Sequence, residues 1–242
     1  MKTTVIGKNL IQLTRRNLVL PNAYLVREDD GFTLIDTTTR GAADKLIAAA
    51  ARAGGKIRRI ALTHGHGDHA GSLDALKQRL GDRVEVLIPD LDARIHAGER
   101  VVEGKLPGSW PSVATRPDVS LQDGDRVGSL TVVASPGHSP GHVAFLDTRD
   151  RSLIAGDVFT SIGSVQVTNH FYLRFPLAQM ATWDKAKDLE SAQELTKLAP
   201  TLLVVGHGPA VAHPVSEMEK AVQQARRATN GQSAEASRSP VT

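Results

Sequence analysis

Short apolar runs alternate along the chain with glycine- and proline-marked turns, and their spacing predicts strands and helices in succession. Residues 10–13, 23–26 and 32–36 read as strands, separated by Pro21-Asn22 and by Asp29-Asp30-Gly31. The second separation predicts a hairpin. Residues 41–53 have helical composition and stop at Gly54-Gly55. Residues 57–63 form an apolar strand that runs into a polar turn at 64–69; residues 70–80 are amphipathic and end near Gly81, and 84–88 is another buried strand. Residues 98–118, rich in glycine and proline and without a period, read as a long excursion and a candidate lid. Strands are expected again at 129–134, 142–147, 152–155 and 201–205, with one long helix over 177–198 and a last helix over 215–228. The polar stretch 229–242 is expected to be a disordered tail, which leaves residues 1–228 as a single domain. Helices packed outside β-rich halves suit this order of elements. The segments 34–37 (LIDT) and 153–157 (LIAGD) echo each other as strands ending in aspartate, a faint sign of duplication.

Composition narrows the function classes. With 242 residues, 40% of them hydrophobic, the chain can bury a large core. Its 29 Lys+Arg against 26 Asp+Glu leave a net charge of only +3, and the basic pairs and runs (Arg15-Arg16, 56–59, Arg226-Arg227) are short and scattered. Aromatic residues make up 4%, too few for a platform of stacked bases, so no nucleic-acid partner is expected. There is no cysteine, which excludes disulfides, thiolate metal sites and a thiol nucleophile. No apolar run approaches the roughly 18 residues of a membrane span, and no signal-like apolar region opens the chain. The expectation is a cytoplasmic protein with a small-molecule substrate and no membrane partner; a homodimer is left open.

The histidines change the picture most. Three of the nine fall in His64-Gly65-His66-Gly67-Asp68-His69. Neutral imidazoles and a carboxylate are good ligands for a borderline divalent cation, and the two glycines let a tight turn aim their neighbours inward. Three further candidates each sit beside a glycine just past a predicted strand: His138 in Pro136-Gly137-His138-Ser139-Pro140-Gly141-His142, Asp157 at the end of LIAGD, and His207 in Gly206-His207-Gly208-Pro209. His96 and His213 have no ligand-like context. The stretch 158–176 holds Phe159, Phe171, Tyr172 and Phe175, four of nine aromatics, together with His170. It reads either as an apolar pocket wall, with Phe159, His170 and Tyr172 touching substrate, or as ordinary packing of a loop.

HGHGDH, PGHSPGH, the Gly156-Asp157 pair and GHGP, in that order, resemble the metallo-β-lactamase superfamily of hydrolases over residues 20–228. The resemblance implies an α/β fold, a four-layer αββα sandwich with the metals at one edge between the sheets. It implies His64, His66 and His138 on one ion, Asp68, His69 and His207 on a second, and Asp157 bridging both. Asp36 matches the family's first motif and has a structural role there, and His142 stands behind the ligands. The implied cofactors are two divalent ions, zinc first, with iron or manganese as alternatives. Two such ions, two carboxylates and a hydroxide leave a charge of about +1, which favours an incoming carbonyl oxygen. Asp68 doubles as the catalytic proton carrier. The expected activity is hydrolysis of a small ester or lactone with an apolar acyl part. Thr160 stands where the family's homoserine lactonases often have a tyrosine, so a lactonase here must use another group, such as Tyr172. Alternatives are a thioester hydrolase of the glyoxalase II type, a persulfide dioxygenase-like enzyme with a single iron, and a metal-binding module without catalysis.

Overall fold

In a computed structural model, which describes residues 1–16 and 19–236, the alternating strand pattern resolves into two facing sheets. The first runs in sequential order: β1 (Lys2–Val5), β2 (Leu10–Thr14), β3 (Asn22–Glu28), β4 (Gly31–Ile35), β5 (Ile57–Ala61), β6 (Glu85–Pro89) and β7 (Val119–Leu121). Its first four strands are antiparallel, and β4 to β7 are parallel. The second sheet contains β8 (Arg126–Val127), β9 (Leu130–Ala134), β10 (Val143–Asp147), β11 (Ser152–Ile154), β14 (Leu202–Val204) and β15 (Val211–Ala212), in the order β15-β14-β11-β10-β9-β8. A small hairpin, β12 (Phe159–Thr160) with β13 (Gln166–Val167), stands apart from both.

Side-chain alternation separates three apolar layers. Tyr24 and Val26 of β3 face Phe145, Ile154 and Val204 between the sheets. Ala23 and Leu25 face outward to α1 (Ala43–Arg52) and α2 (Leu73–Leu80), packing in one cluster with Leu46, Leu73 and Leu76. On the far side, Leu153 and Leu203 pack with Leu189 and Leu195 of α5 (Lys185–Lys197) and with Met218 and Val222 of α6 (Val215–Ala236). The order of layers is therefore helix, sheet, sheet, helix, the αββα sandwich expected from the motifs. Among the described residues no helix is long and apolar enough to cross a membrane.

Four features depart from the sequence reading. The strands β1, β7, β8, β12, β13 and β15 are two to four residues long, too short to display alternation. A helix α3 (Asp90–His96) follows Pro89, with Asp90 and Asp92 in its first turn. The helix expected over 177–198 is two helices, α4 (Leu177–Ala181) and α5, because the Asp184 side chain caps α5 by accepting from Ala186 N and Lys187 N, both at 3.0 Å. Finally, α6 continues through Ala236, into the stretch expected as a tail, since a helix already seated by Met218, Ala221 and Ala225 extends at little further cost. The remainder of that stretch, 237–242, lies outside the described residues.

Candidate metal centre

The strands bring the candidate ligands to one end of the sandwich. Asp36 follows β4, the 64–69 turn follows β5, Asp157 follows β11 and His207 follows β14, while His138 lies in the turn from β9 to β10. Within each sheet the paired strands β4–β5 and β11–β14 are parallel, so their C-terminal ends open together. The two sheets are tied at this edge by Asn22 N donating to Gly206 O at 2.8 Å and by a bridge between Pro21 and His207.

All seven sequence-derived ligands meet there. Three groups have ligand atoms within 4.8 Å of one another: His64, His66 and His138; His64, His69 and Asp157; and Asp68, His69 and His207. Asp157 is central. Its Oδ1 lies 3.4 Å from His69 Nε2, and its Oδ2 lies 3.4 Å from His138 Nε2 and 3.3 Å from His207 Nε2. Asp68 Oδ2 is 3.3 Å from His207 Nε2.

Partners behind the rings set their tautomers. His69 Nδ1 donates to Asp36 Oδ2 at 2.8 Å, and His207 Nδ1 donates to the Val19 carbonyl at 2.7 Å. Thr63 Oγ1 gives its proton to Asp36 Oδ2, so it accepts from His64 Nδ1 at 3.0 Å. Thr182 Oγ1 gives its proton to the Ala178 carbonyl and accepts from His138 Nδ1 at 3.1 Å. Four rings thus turn Nε2 inward, the orientation that metal ligation requires. His66 is reversed: its Nδ1 faces His138 Nε2 at 3.1 Å, while its Nε2 lies against Gly108, where a Cβ would approach to 2.5 Å. His142, as expected, stands behind the ligands. Its Nε2 accepts from Asp157 N at 3.1 Å, and its Nδ1 donates to Ser135 Oγ at 2.9 Å.

Three supports escape sequence reasoning. The break between α4 and α5 docks on the His138 turn: Trp183 N donates to His138 O and Asp184 N to Gly137 O, at 3.1 and 2.8 Å. The Trp110 ring packs edge-on to His66, with centroids 5.0 Å apart. The third is Asp92, fully buried on α3. Its carboxylate accepts from Gly65 N at 2.7 Å, Ser139 Oγ at 2.7 Å and Gly141 N at 2.8 Å, joining the two ligand turns. Burial pushes this carboxyl up to about 6, even though all three donors pull it down. Asp92→Ala is expected to weaken metal binding about 10- to 100-fold, with Asp92→Asn intermediate, in competition against a chelator. Unchanged affinity in Asp92→Ala would mean that the two turns hold their shape without it.

The donor set suits divalent cations. Nε2 of His64 and of His69 and Oδ1 of Asp157 are buried atoms without a hydrogen-bond partner, a costly arrangement that coordination relieves. Burial keeps His64 and His138 well below the usual imidazole range and lowers His66 to about 4. Burial would lower His207 and His69 as well, but Asp157 and its neighbours Asp68 and Asp36 outweigh it, holding His207 up at about 9 and His69 well above its ordinary value. Burial would raise Asp157 and Asp68, yet His207 and His69 hold both well below the usual carboxylate range. Before a metal binds, the carboxylates therefore favour the protonated, cationic forms of His69 and His207. Loading is expected to release protons, and apparent affinity should rise with pH towards the value for His207, about 9. Calorimetry in buffers of different ionisation enthalpy checks this; a loading heat independent of the buffer would contradict it.

A cavity of about 1130 Å³ opens on His66 and Asp68. It is walled by Gly108, Ser109, Pro111 and Ser112 of the excursion, by Gly71, Asp74, Ala75 and Gln78 in and before α2, and by Leu177, Met180 and Ala181 of α4. The excursion is thus a wall of the site, its Ser109 carbonyl accepting from Gly67 N at 2.8 Å. The substrate-contact expectations need correcting. Phe159 is fully buried in the layer between the second sheet and α5–α6, because it begins a strand whose side chain turns inward. His170 bonds Asn169 and Tyr172 bonds Ser164, and neither is among the lining residues of this cavity. The aromatic of that stretch beside the centre is Phe175, whose ring centroid is 4.8 Å from that of His207.

Comparison with known proteins agrees with this geometry. The family model for the metallo-beta-lactamase superfamily matches residues 16–207. The chain is 39% identical to the protein YobT of Bacillus subtilis (strain 168) over 223 residues, 89% of this chain and 95% of that protein. It is 35% identical to a hydroxyacylglutathione hydrolase of Rhodopseudomonas palustris (strain ATCC BAA-98 / CGA009) over 131 residues, 52% of this chain and 44% of that one. A crystal structure of TTHA1623 in a di-iron-bound form superposes with a TM-score of 0.64 at 30% identity, covering 85% of this chain and 96% of that one.

Proposed function

The chain belongs to the metallo-beta-lactamase superfamily, and on that premise we propose that it is a hydrolase that holds two divalent ions and cleaves a small ester or lactone with an apolar acyl part. The observation that carries this reading is the position of the Asp157 carboxylate, within 3.4 Å of ring nitrogens from His69, His138 and His207. His64, His66 and His138 would hold one ion, Asp68, His69 and His207 the other, and Asp157 both. Bound divalent ions supply Lewis acidity toward a carbonyl oxygen and let water ionise near neutral pH. The chain's own residues do the rest. Asp68 is the one carboxylate ligand that also lines the cavity, and its oxygen left free of the metal would take up a proton and pass it to the departing group. Leu177, Met180 and Ala181 give an acyl chain an apolar wall.

Zinc is the proposed ion, since five imidazoles and two carboxylates suit a borderline cation. The same donors suit iron, and the similarity to a di-iron-bound structure makes iron the alternative. A thioester is the second substrate reading, favoured by the partial match to hydroxyacylglutathione hydrolase. Protein of known metal content, offered lactones, esters, thioesters and phosphodiesters, should turn over a carbonyl substrate fastest. Chelation should stop it, and added metal should restore it. Faster turnover of phosphodiesters, or turnover indifferent to chelation, would overturn the proposal.

A further inference from the structure

We propose that Arg40 makes this site selective for acyl substrates that carry a carboxylate at the end remote from the scissile carbonyl. The inference rests on the hydrolase reading and names its substrate class. It begins with the loop between β4 and α1, whose backbone is strained at two buried non-glycine residues, Asp36 (φ 61°) and Thr38 (φ 55°). Such strain persists only where surrounding contacts over-determine the chain. Here they do. Thr37 donates through N and Oγ1 to the His69 carbonyl at 2.6 and 2.7 Å, and the Thr39 carbonyl accepts from Arg15 Nη1 at 2.6 Å and Ser72 Oγ at 2.8 Å. Gly71 leaves room for the Arg40 backbone, where a Cβ would come within 2.7 Å of Arg40 N.

Asp36 explains the first half of the loop, through its bonds to His69 and Thr63. Nothing in the metal centre uses Arg40. Its side chain is exposed and lines the same cavity as His66 and Asp68, and among the described residues no hydrogen bond or ion pair engages its guanidinium. Two carboxylates share the cavity, and neither pairs with it. Asp68 belongs to the metal centre. Asp74 already accepts from Ala114 N at 3.0 Å, Thr115 N at 2.8 Å and Thr115 Oγ1 at 2.6 Å. The loop thus fixes where the Arg40 side chain starts, and its uncompensated fork of donors lines a cavity to which Leu177 and Met180 add apolar surface. An acyl chain on that surface, with its carbonyl at the metals and a terminal carboxylate on Arg40, satisfies all three features. The planar guanidinium can grip the carboxylate through two parallel hydrogen bonds.

The test compares p-nitrophenyl hexanoate with the p-nitrophenyl monoester of adipate, and in parallel measures binding of hexanoate and adipate to the metal-loaded protein by calorimetry. The natural chain should favour the anionic member of each pair by about fivefold or more, the ester through KM. In Arg40→Gln both ratios should fall to near one, and Arg40→Lys should keep part of each. Equal handling of the two members by the natural chain, or ratios unmoved in Arg40→Gln, would overturn the proposal and show a merely solvated arginine. If neither ester is hydrolysed, the ester reading fails, while the adipate-to-hexanoate binding ratio still decides whether Arg40 receives a carboxylate.

Discussion

Replacing Asp157 by alanine is expected to remove metal and turnover together, with kcat/KM falling about a thousandfold or more, some 4 kcal/mol of transition-state stabilisation. His69, His138 and His207 all have Nε2 within 3.4 Å of the Asp157 carboxylate. The loss should exceed that from any supporting residue, because a neutral gap would leave the cations facing five imidazoles and Asp68 alone. The same substitution should lower the His207 proton affinity, since Asp157 is the largest influence holding that ring up. Metal content of dialysed protein and NMR titration of His207 measure both effects. Full metal content in Asp157→Ala would mean that the ligands are wrongly assigned.

A second large effect is expected from adding a single methyl group. Gly206 precedes His207, and a Cβ there would overlap Asp157 Oδ1 and come within 2.7 Å of His69 Cε1. The backbone cannot step aside easily. Gly206 N donates to Gly156 O and Gly206 O accepts from Asn22 N, both at 2.8 Å. The carboxylate must therefore move, and Gly206→Ala is expected to lose metal affinity at least about a hundredfold and stability by about 1–3 kcal/mol. Gly7→Ala is the control, since nothing lies within 4 Å of a Cβ at that position. Similar metal binding in the two variants would show that the site tolerates a shift of Asp157.

Much of this was readable without coordinates, for physical reasons that differ by residue. The 64–69 turn is legible because four ligands sit within six positions, so spacing alone exposes it. His138, Asp157 and His207 are far apart in sequence, and only their shared setting, a glycine beside a strand end, together with the family resemblance, links them. The sandwich was legible through the family resemblance that the motifs carry, and the longer strands such as β3 through their apolar runs, whereas the two-residue strands carry no pattern to read. Asp92 was missed because its role is long-range: it joins Gly65 to Ser139 and Gly141, and none of the three is near it in sequence. Pro89 followed by two acids, with Leu91 and Ile95 four apart, was the available sign of its helix. Thr182 was hidden by the expectation of one continuous helix, although Asp184 could have been read as a cap. Phe159 could be read two ways because aromatic clustering after a ligand does not distinguish a pocket wall from a core. Alternation in a strand decides that, and β12 is too short to show it.

The central claim is that seven side chains from both sheets hold two cations around Asp157. Anomalous diffraction from crystals of metal-loaded protein, recorded at the absorption edge of the loaded metal, tests it most directly. Two peaks are predicted, each about 2.0–2.2 Å from its ligand atoms, with Asp157 touching both. A single peak, or two that leave Asp157, His138 or His207 uncoordinated, would contradict the account.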